Sequence, residues 1–515
     1  MSNALDAPAR PDPLYRRLAD HYLSAIRQGT LKPGDRMPSV RRLMATHELS
    51  LSTALQACRH LEDAGWLEAR PRSGYFVRTP RAPALPQAAE PDPRARPDPS
   101  AWRGIHRHIS SLIARSEQAP ATVNLALAVG APALYPGAAL RQAMQRRLRQ
   151  HPEVLSTMSR RHGHPLLQAA LARYGLGRGM QTAPEDIIVT HGCIEALNLA
   201  LRATTRPGDT VAVESPTFYG LLQVIEALGL RALEIPTSPT TGLSLEALDF
   251  ALQADRAAGA EADAQAGATP GRLRAVVVMP TWHNPLGCLM PDERKKALVE
   301  FCSAQGLALI EDDIYADMGG DRPERPCKAW DRDGTVIWCH SLNKLLAPGL
   351  RLGWMLAGRW QARVGMLKYT QSRFAEALPQ LAAADFIGSP AFERHLRQLR
   401  SRLRQQREDM ADAVAQAFPA GTRLTLPSGG MLLWLQLPEA VHGDRVFEAA
   451  LAQGIKLAPG SMFSASHRFD HCLRLSCAQA PTGAVRQALQ QVGTIVRQLA
   501  EAAPPSTGQA PPPGN

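Results

Sequence analysis

Apolar residues recur in two different registers along this chain, and the switch between them divides it. Residues 14–28 carry Leu14, Leu18, Tyr22 and Ile26 four apart, one face of an amphipathic helix that Gly29 can end. After the turn LKPGDRMP, Ser39 is placed to cap a second helix, VRRLMATH, and either Ser50 or Ser52 a third running to Ala64, with Gly65 as its stop. WLEARPRSGYFVRT then reads as two strands joined by a basic turn containing Arg70, Arg72 and Gly74. Three helices followed by a hairpin make a winged helix-turn-helix, its third helix sized for the DNA major groove. From about residue 120 the pattern changes to short, continuous apolar runs: IIVT (187–190), VAVE (211–214), AVVVM (275–279), LALIED (307–312) and VIWCHS (336–341). Such runs suit buried strands of a mainly parallel sheet covered on both faces. Helical stretches such as 193–205 and 291–305 lie between them, so the class is α/β.

These patterns predict a DNA-binding module at 13–79, a linker at 80–119, a large domain at 120–500 and a disordered tail at 501–515. The linker's first part, PRAPALPQAAEPDPRARPDP, holds seven prolines and no apolar periodicity. The alanine-rich segment 251–271 reads as a surface insertion or as a helix end with a loop, and GLGRGM (175–180) as a helix end. Two or three domains are what 515 residues require, and 45% hydrophobic with 20% charged residues is a globular balance. No apolar run approaches the roughly 20 residues that span a bilayer. The N-terminus lacks the apolar core of a secretory signal, and the eight cysteines are scattered, so a reduced, cytoplasmic setting is expected. A net charge of +11 permits a polyanionic partner without proving one. Of the 58 basic residues only seven are lysines (32, 295, 296, 328, 344, 368 and 456), so chemistry that needs a lysine has few candidates.

VIWCHSLNKLLAPGLRLGW (336–354) supplies the sharpest candidate. A strand delivers Ser341, then Lys344, and seven residues later Arg351 in a Gly/Pro-bearing turn. A Schiff-base lysine must be partly desolvated so that some neutral amine exists. An arginine and a serine beside it suit a phosphate dianion, and pyridoxal 5′-phosphate presents an aldehyde and a phosphate together. Other segments fit the same cofactor. THGCIEAL (190–197) sets Gly192 and Cys193 between a strand and a helix, where backbone N–H groups meet an anion. HNPLG (283–287) places Asn284 beyond a strand end. LIEDDIY (309–315) ends a strand with Asp312, whose carboxylate suits a pyridine nitrogen, and brings Tyr315 three residues on. SPTFYG (215–220) offers the face of Phe218 to a ring. The pair His162 and His164 resembles a metal motif, but no third ligand accompanies it and a loop role is expected.

Through GDRMPSVRRL, LEDAGWLEA and RSGYFV the first module resembles the GntR family of bacterial transcription regulators. The resemblance implies that Arg36, Arg41 and the wing residue Arg72 meet DNA phosphates, and that Ser50, Ser52 and Thr53 open the DNA-facing helix. Leu51 stands where that family often has arginine. The large domain resembles the fold-type I aminotransferases, with a large α/β part and a smaller C-terminal α+β part that begins near GGMLLWLQLP (429–438). That resemblance makes Lys344 the Schiff-base lysine and puts Asp312 on the pyridine nitrogen. It sets Asn284 and Tyr315 on the ring hydroxyl, Phe218 on the ring face, and Gly192, Cys193, Ser341 and Arg351 around the phosphate. Arg474, in HCLRLSC, falls where the class binds a substrate α-carboxylate. Asn343 replaces a usual Ser or Thr. MSRRHGHPLL (158–167) begins with Met158 where a tyrosine normally reaches a neighbouring subunit's phosphate.

The two modules in this order resemble the MocR subfamily. The expectation is a homodimeric regulator that binds double-stranded operator DNA and senses an amino acid, an amine or pyridoxal phosphate itself. The alternative is an active aminotransferase with an accessory DNA-binding module.

Overall fold

The computed structural model describes residues 13–70, 73–78, 85–92, 105–264, 272–320 and 323–502. Two compact units result, one formed by residues up to 82 and the other by nearly all residues from 83 on.

In the first unit, helices α1 (Leu14–Arg27), α2 (Val40–His47) and α3 (Leu51–Asp63) precede the antiparallel pair β1 (Leu67–Arg70) and β2 (Gly74–Val77). Ser39 caps α2 by accepting from the Arg42 N–H (3.3 Å). Of the two serines that could open α3, Ser50 does so, accepting from the Thr53 N–H at 3.2 Å. Leu18 and Ile26 of α1 pack with Ala57, Leu61, Leu67 and Val77 into one small core, while Leu14 stays exposed. The periodicity of α1 is therefore read correctly except at its first turn.

The second unit is built on an eight-stranded sheet. Its strand order is Ile187–Thr190, Gly353–Leu356, Val336–Ser341, Ala308–Asp312, Leu273–Val278, Thr210–Ser215, Arg231–Ser238 and Gly242–Leu243. The five strands from Val336–Ser341 to Arg231–Ser238 are mutually parallel; Gly353–Leu356 runs antiparallel to both its neighbours. Every residue of Ile187–Thr190, Thr210–Ser215, Ala308–Asp312 and Val336–Ser341 is buried, the expected result of helices on both faces. Leu432–Gln436 and Cys472–Ser476 pair antiparallel in a smaller four-stranded sheet, with Trp434 opposite Arg474. Segment 251–271 begins as part of the helix Leu245–Ala264, and its residues 265–271 lie outside the described set. Among the described residues no helix is long and apolar enough to cross a membrane.

The expected linker of 80–119 needs correction. Residues 105–118 form a helix, Ile105–Gln118, because Ile105, Ile109 and Leu112 repeat at helical spacing and enter the core of the second unit. Upstream, residues 85–92 lie against the same unit. The Leu424 N–H donates to the Pro86 carbonyl (2.9 Å), and the Ala89 N–H to Gln436 Oε1 (2.8 Å). Thr240 Oγ1 donates to Glu90 (3.0 Å). Proline density hid these anchors, which are largely main-chain contacts. At the other end the helix Gly483–Glu501 takes in the first residue of the expected tail, and residues 503–515 lie outside the described set.

Arg178, in the GLGRGM segment, is buried and paired with Asp317, which also receives the Tyr174 hydroxyl (2.5 Å). Burial alone would raise the Asp317 carboxyl, but Arg178, His340 and Arg400 outweigh it and hold it below its usual value. The stability this carboxylate contributes is present above its unfolded value near pH ~4 and is lost as pH falls through the depressed folded value. Arg178→Met breaks the pair from one side only. It is expected to lower unfolding free energy by about 3 kcal/mol in denaturant titration at pH 7.

Candidate functional site

The parallel strands all end at one edge of the main sheet, and the cofactor candidates gather there. Asp312 closes its strand and Ser341 closes the next; Gly192, Phe218 and Asn284 follow the ends of three others. In an α/β sheet this carboxyl edge is where ligands bind.

Lys344 follows Ser341 by a tight turn, and its Nζ donates to the Ala128 carbonyl (2.5 Å). Burial pushes its pKa down to about 8, with Arg474 and Arg351 adding to the effect and Asp312 and Cys193 opposing it. A lysine lowered to about 8 is about one-tenth neutral amine at pH 7, far more than an ordinary lysine. Asp312 is 5% exposed, and burial raises its carboxyl to about 6. Its Oδ1 accepts from the Cys193 thiol (3.0 Å) and the Ile314 N–H (3.4 Å). Among the described residues no cation forms an ion pair with this buried carboxylate, which suits a protonated pyridine nitrogen.

At the other pole, Gly192 holds φ +98° and leaves the helix Cys193–Thr204 without a side-chain cap, so its first N–H groups are open to an anion. A Cβ at Gly192 would lie 3.2 Å from Asn343 Nδ2 and 3.5 Å from Arg351 Nη2. Arg351 donates to the His191 carbonyl (2.9 Å), which ties its guanidinium to the same turn. The Ser341 hydroxyl donates to the Leu352 carbonyl (3.0 Å) and accepts from the Asn343 N–H (3.1 Å), so it braces the lysine turn. Glycine, open helix N–H groups and arginine together make a phosphate cradle, and the residues present fit pyridoxal phosphate.

Arg474 is 1% exposed; its Nη1 donates to Asn284 Oδ1 (3.0 Å) and its Nη2 to the Ala126 carbonyl. The guanidinium carbon lies 5.0 Å from the Phe463 ring centre and 5.9 Å from that of Tyr219. Among the described residues its Nε has no partner. Burial lowers its pKa, while Tyr219 and Tyr315 work against that shift. Tyr315 is buried, and burial raises its phenol. The Phe218 ring lies 5.0 Å from that of Tyr219. Tyr219 and the carbonyls of Ala126 and Ala128 complete the surroundings. The tyrosine was available in SPTFYG, whereas a main-chain carbonyl leaves no trace in residue type.

His164 caps the helix Pro165–Leu176, accepting from the Leu166 N–H (3.2 Å), and among the described residues no cluster could hold a metal ion. Met158 is 82% exposed.

In the first unit Arg36 and Arg41 are exposed, and Ser50 and Ser52 stand in the open at the start of α3 beside the half-buried Thr53. Leu51 is 58% exposed at the same turn. Arg36 bridges to Phe76 of β2, with its guanidinium beside Gly74. Arg72 lies outside the described residues.

Residues 14–77 match the family model described as bacterial regulatory proteins, gntR family, and residues 123–492 match aminotransferase class I and II. The chain is 34% identical to an uncharacterized HTH-type transcriptional regulator of Escherichia coli, YjiR, over 95% of this chain and 99% of that one. Its second unit resembles kynurenine aminotransferase of Pyrococcus horikoshii, solved in complex with PMP. That likeness has a TM-score of 0.69 at 25% identity, over 76% of this chain and 94% of that one. It also resembles LysN, the alpha-aminoadipate aminotransferase of Thermus thermophilus, solved with N-(5'-phosphopyridoxyl)-L-leucine. There the TM-score is 0.67 at 25% identity, over 76% and 95% of the two chains. A winged helix-turn-helix of the GntR type in series with an aminotransferase class I and II domain is the arrangement of MocR-type transcriptional regulators, and the chain belongs to that family.

Proposed function

We propose that this protein is a pyridoxal-phosphate-dependent transcriptional regulator, which binds operator DNA as a homodimer and senses an amino acid, an amine or the cofactor itself. The observation that carries the reading is the pairing, at one sheet edge, of a lysine lowered to about 8 with a buried Asp312 that forms no ion pair among the described residues. Structures similar to the second unit were solved with PMP and with a phosphopyridoxyl amino acid. When bound, pyridoxal phosphate would supply an aldehyde for an amine and a ring that withdraws electrons from it.

The chain's own residues then have distinct tasks. Lys344 holds the aldehyde and moves a proton at its Nζ. Asp312 keeps the ring nitrogen protonated, Asn284 and Tyr315 orient the ring hydroxyl, and Phe218 covers a face. Gly192, Cys193 and Arg351 anchor the phosphate, with Ser341 bracing their turn, and Arg474 receives a carboxylate. On DNA, Arg36, Arg41 and Arg72 meet phosphates, and Ser50, Ser52 and Thr53 meet the backbone at the start of α3. Leu51 offers an apolar contact of the kind that reads a thymine methyl group. The exposed Leu155 and Met158 support a dimer, because such apolar surface gains from burial.

A ligand shifts the DNA-binding state only by its differential affinity for two conformations. The test is binding to DNA upstream of the protein's own gene, at stated salt, with and without pyridoxal phosphate. Site-specific binding that changes with cofactor is expected; its absence in every state would overturn the regulatory reading. Arg41→Ala should weaken binding uniformly across DNA sequences and reduce the slope of log affinity against log salt by about 1.

The unpartnered Nε of the buried Arg474 favours a second activity of the same site, transamination of an amino acid. Conversion of an amino acid to its oxo acid in step with cofactor turnover would establish it.

A further inference from the structure

We infer that Cys193 is the positioning residue for Asp312, so that a single residue serves both poles of the cofactor site: its main chain opens the helix that faces an anion, and its thiol fixes the carboxylate that faces a ring nitrogen. The inference rests on the pyridoxal-phosphate reading above. It goes beyond that reading by giving the Cys193 side chain a task separate from phosphate binding.

The two groups arrive from different elements, Cys193 from the first turn of a helix and Asp312 from the end of a neighbouring strand, and their side chains meet at 3.0 Å. Cys193 is 4% exposed. An ionised carboxylate only accepts, so the thiol is the donor. Burial, reinforced by Asp312 and Cys339, raises the thiol's pKa well above its usual value, so the proton stays on sulfur and the direction of the bond does not reverse. Among the described residues no other side chain donates to Asp312. The remaining donor, the Ile314 N–H, is longer at 3.4 Å and reaches the same oxygen. With Oδ1 held, Oδ2 is left for the ring nitrogen. A protonated, buried thiol aimed at a carboxylate is no nucleophile, so the role is orientation and the setting of basicity.

Among the described residues, the titratable groups that face Asp312 include Cys193, Cys339, Asp313, Tyr315 and Lys344. Only the first changes between the variants that test the idea. The full chain would be prepared as wild type, Cys193→Ala and Cys193→Ser. Pyridoxal phosphate affinity would be measured by absorbance titration from pH 5 to pH 9.

Removing the donor leaves the carboxylate's charged form less stabilised, which raises its pKa. The alanine variant is therefore expected to bind the cofactor about tenfold more weakly at neutral pH. The acid limb of its affinity profile should move to higher pH. Serine keeps a donor at the same place and should bring both measures most of the way back. Wild-type affinity and an unmoved acid limb in Cys193→Ala would overturn the inference. So would an equal loss in both variants, which would mark a packing role. A wild-type chain that takes up no cofactor would overturn the cofactor reading itself, whereas normal uptake with an indifferent alanine variant overturns only the role of Cys193.

Discussion

Lys344→Ala is expected to abolish covalent capture of pyridoxal phosphate: borohydride treatment should leave no cofactor mass on the variant, while the wild type gains one equivalent. Three of the other lysines are poor substitutes. Lys295 is buried and spent on the Arg325 carbonyl (2.8 Å), Lys328 is paired with Asp331 (2.7 Å), and Lys368 is paired with Glu195 (3.3 Å). Among the described residues Lys344 donates only to a main-chain carbonyl, and the Asp312 carboxylate acts on its charge. Because capture needs the neutral amine, its rate in the wild type should rise with pH through about 8 and then level. DNA binding by the variant should no longer respond to cofactor. Cofactor still trapped in Lys344→Ala would move the Schiff-base role to another lysine.

How much of this site could be read from residue order depends on what makes each contact. Asp312 and Ser341 were legible because a buried parallel strand is a continuous apolar run, and the residue that ends it sits at the sheet's carboxyl edge; Gly192 follows two residues after such a run. Arg474 was legible only by resemblance; nothing in HCLRLSC alone says that its guanidinium is enclosed by Phe463, Tyr219 and Asn284, which come from distant parts of the chain. The Cys193–Asp312 bond joins residues 119 apart and shows only in three dimensions.

The helix Ile105–Gln118 is a different kind of miss. Its apolar spacing was present at Ile105, Ile109 and Leu112, but proline-rich sequence just upstream gave the whole stretch the look of a tether. Gln436 holds the Ala89 N–H and lies two residues from Trp434, which pairs with Arg474 across the small sheet. The segment that follows the DNA-binding module in sequence is thus fastened to the strand next to the one carrying Arg474.

Arg474→Met should have two effects of opposite sign. Among the described residues no carboxylate pairs with this buried guanidinium, which relies on Asn284, the Ala126 carbonyl and aromatic faces. An uncompensated buried charge costs folding free energy, so an apolar side chain of similar length should leave the ligand-free protein as stable as the wild type or up to about 3 kcal/mol more so. An incoming α-carboxylate would satisfy that charge, and losing its partner costs a buried, hydrogen-bonded ion about 2–5 kcal/mol. The variant's affinity for an amino acid effector or substrate should accordingly fall by about a hundredfold, read from ligand-induced change in cofactor absorbance. Its response to an amine without a carboxylate should be unaltered, because that ligand never reaches Arg474. An amino acid response that survives the substitution would show that this arginine does not read the carboxylate. It would point to an amine, or pyridoxal phosphate itself, as the signal.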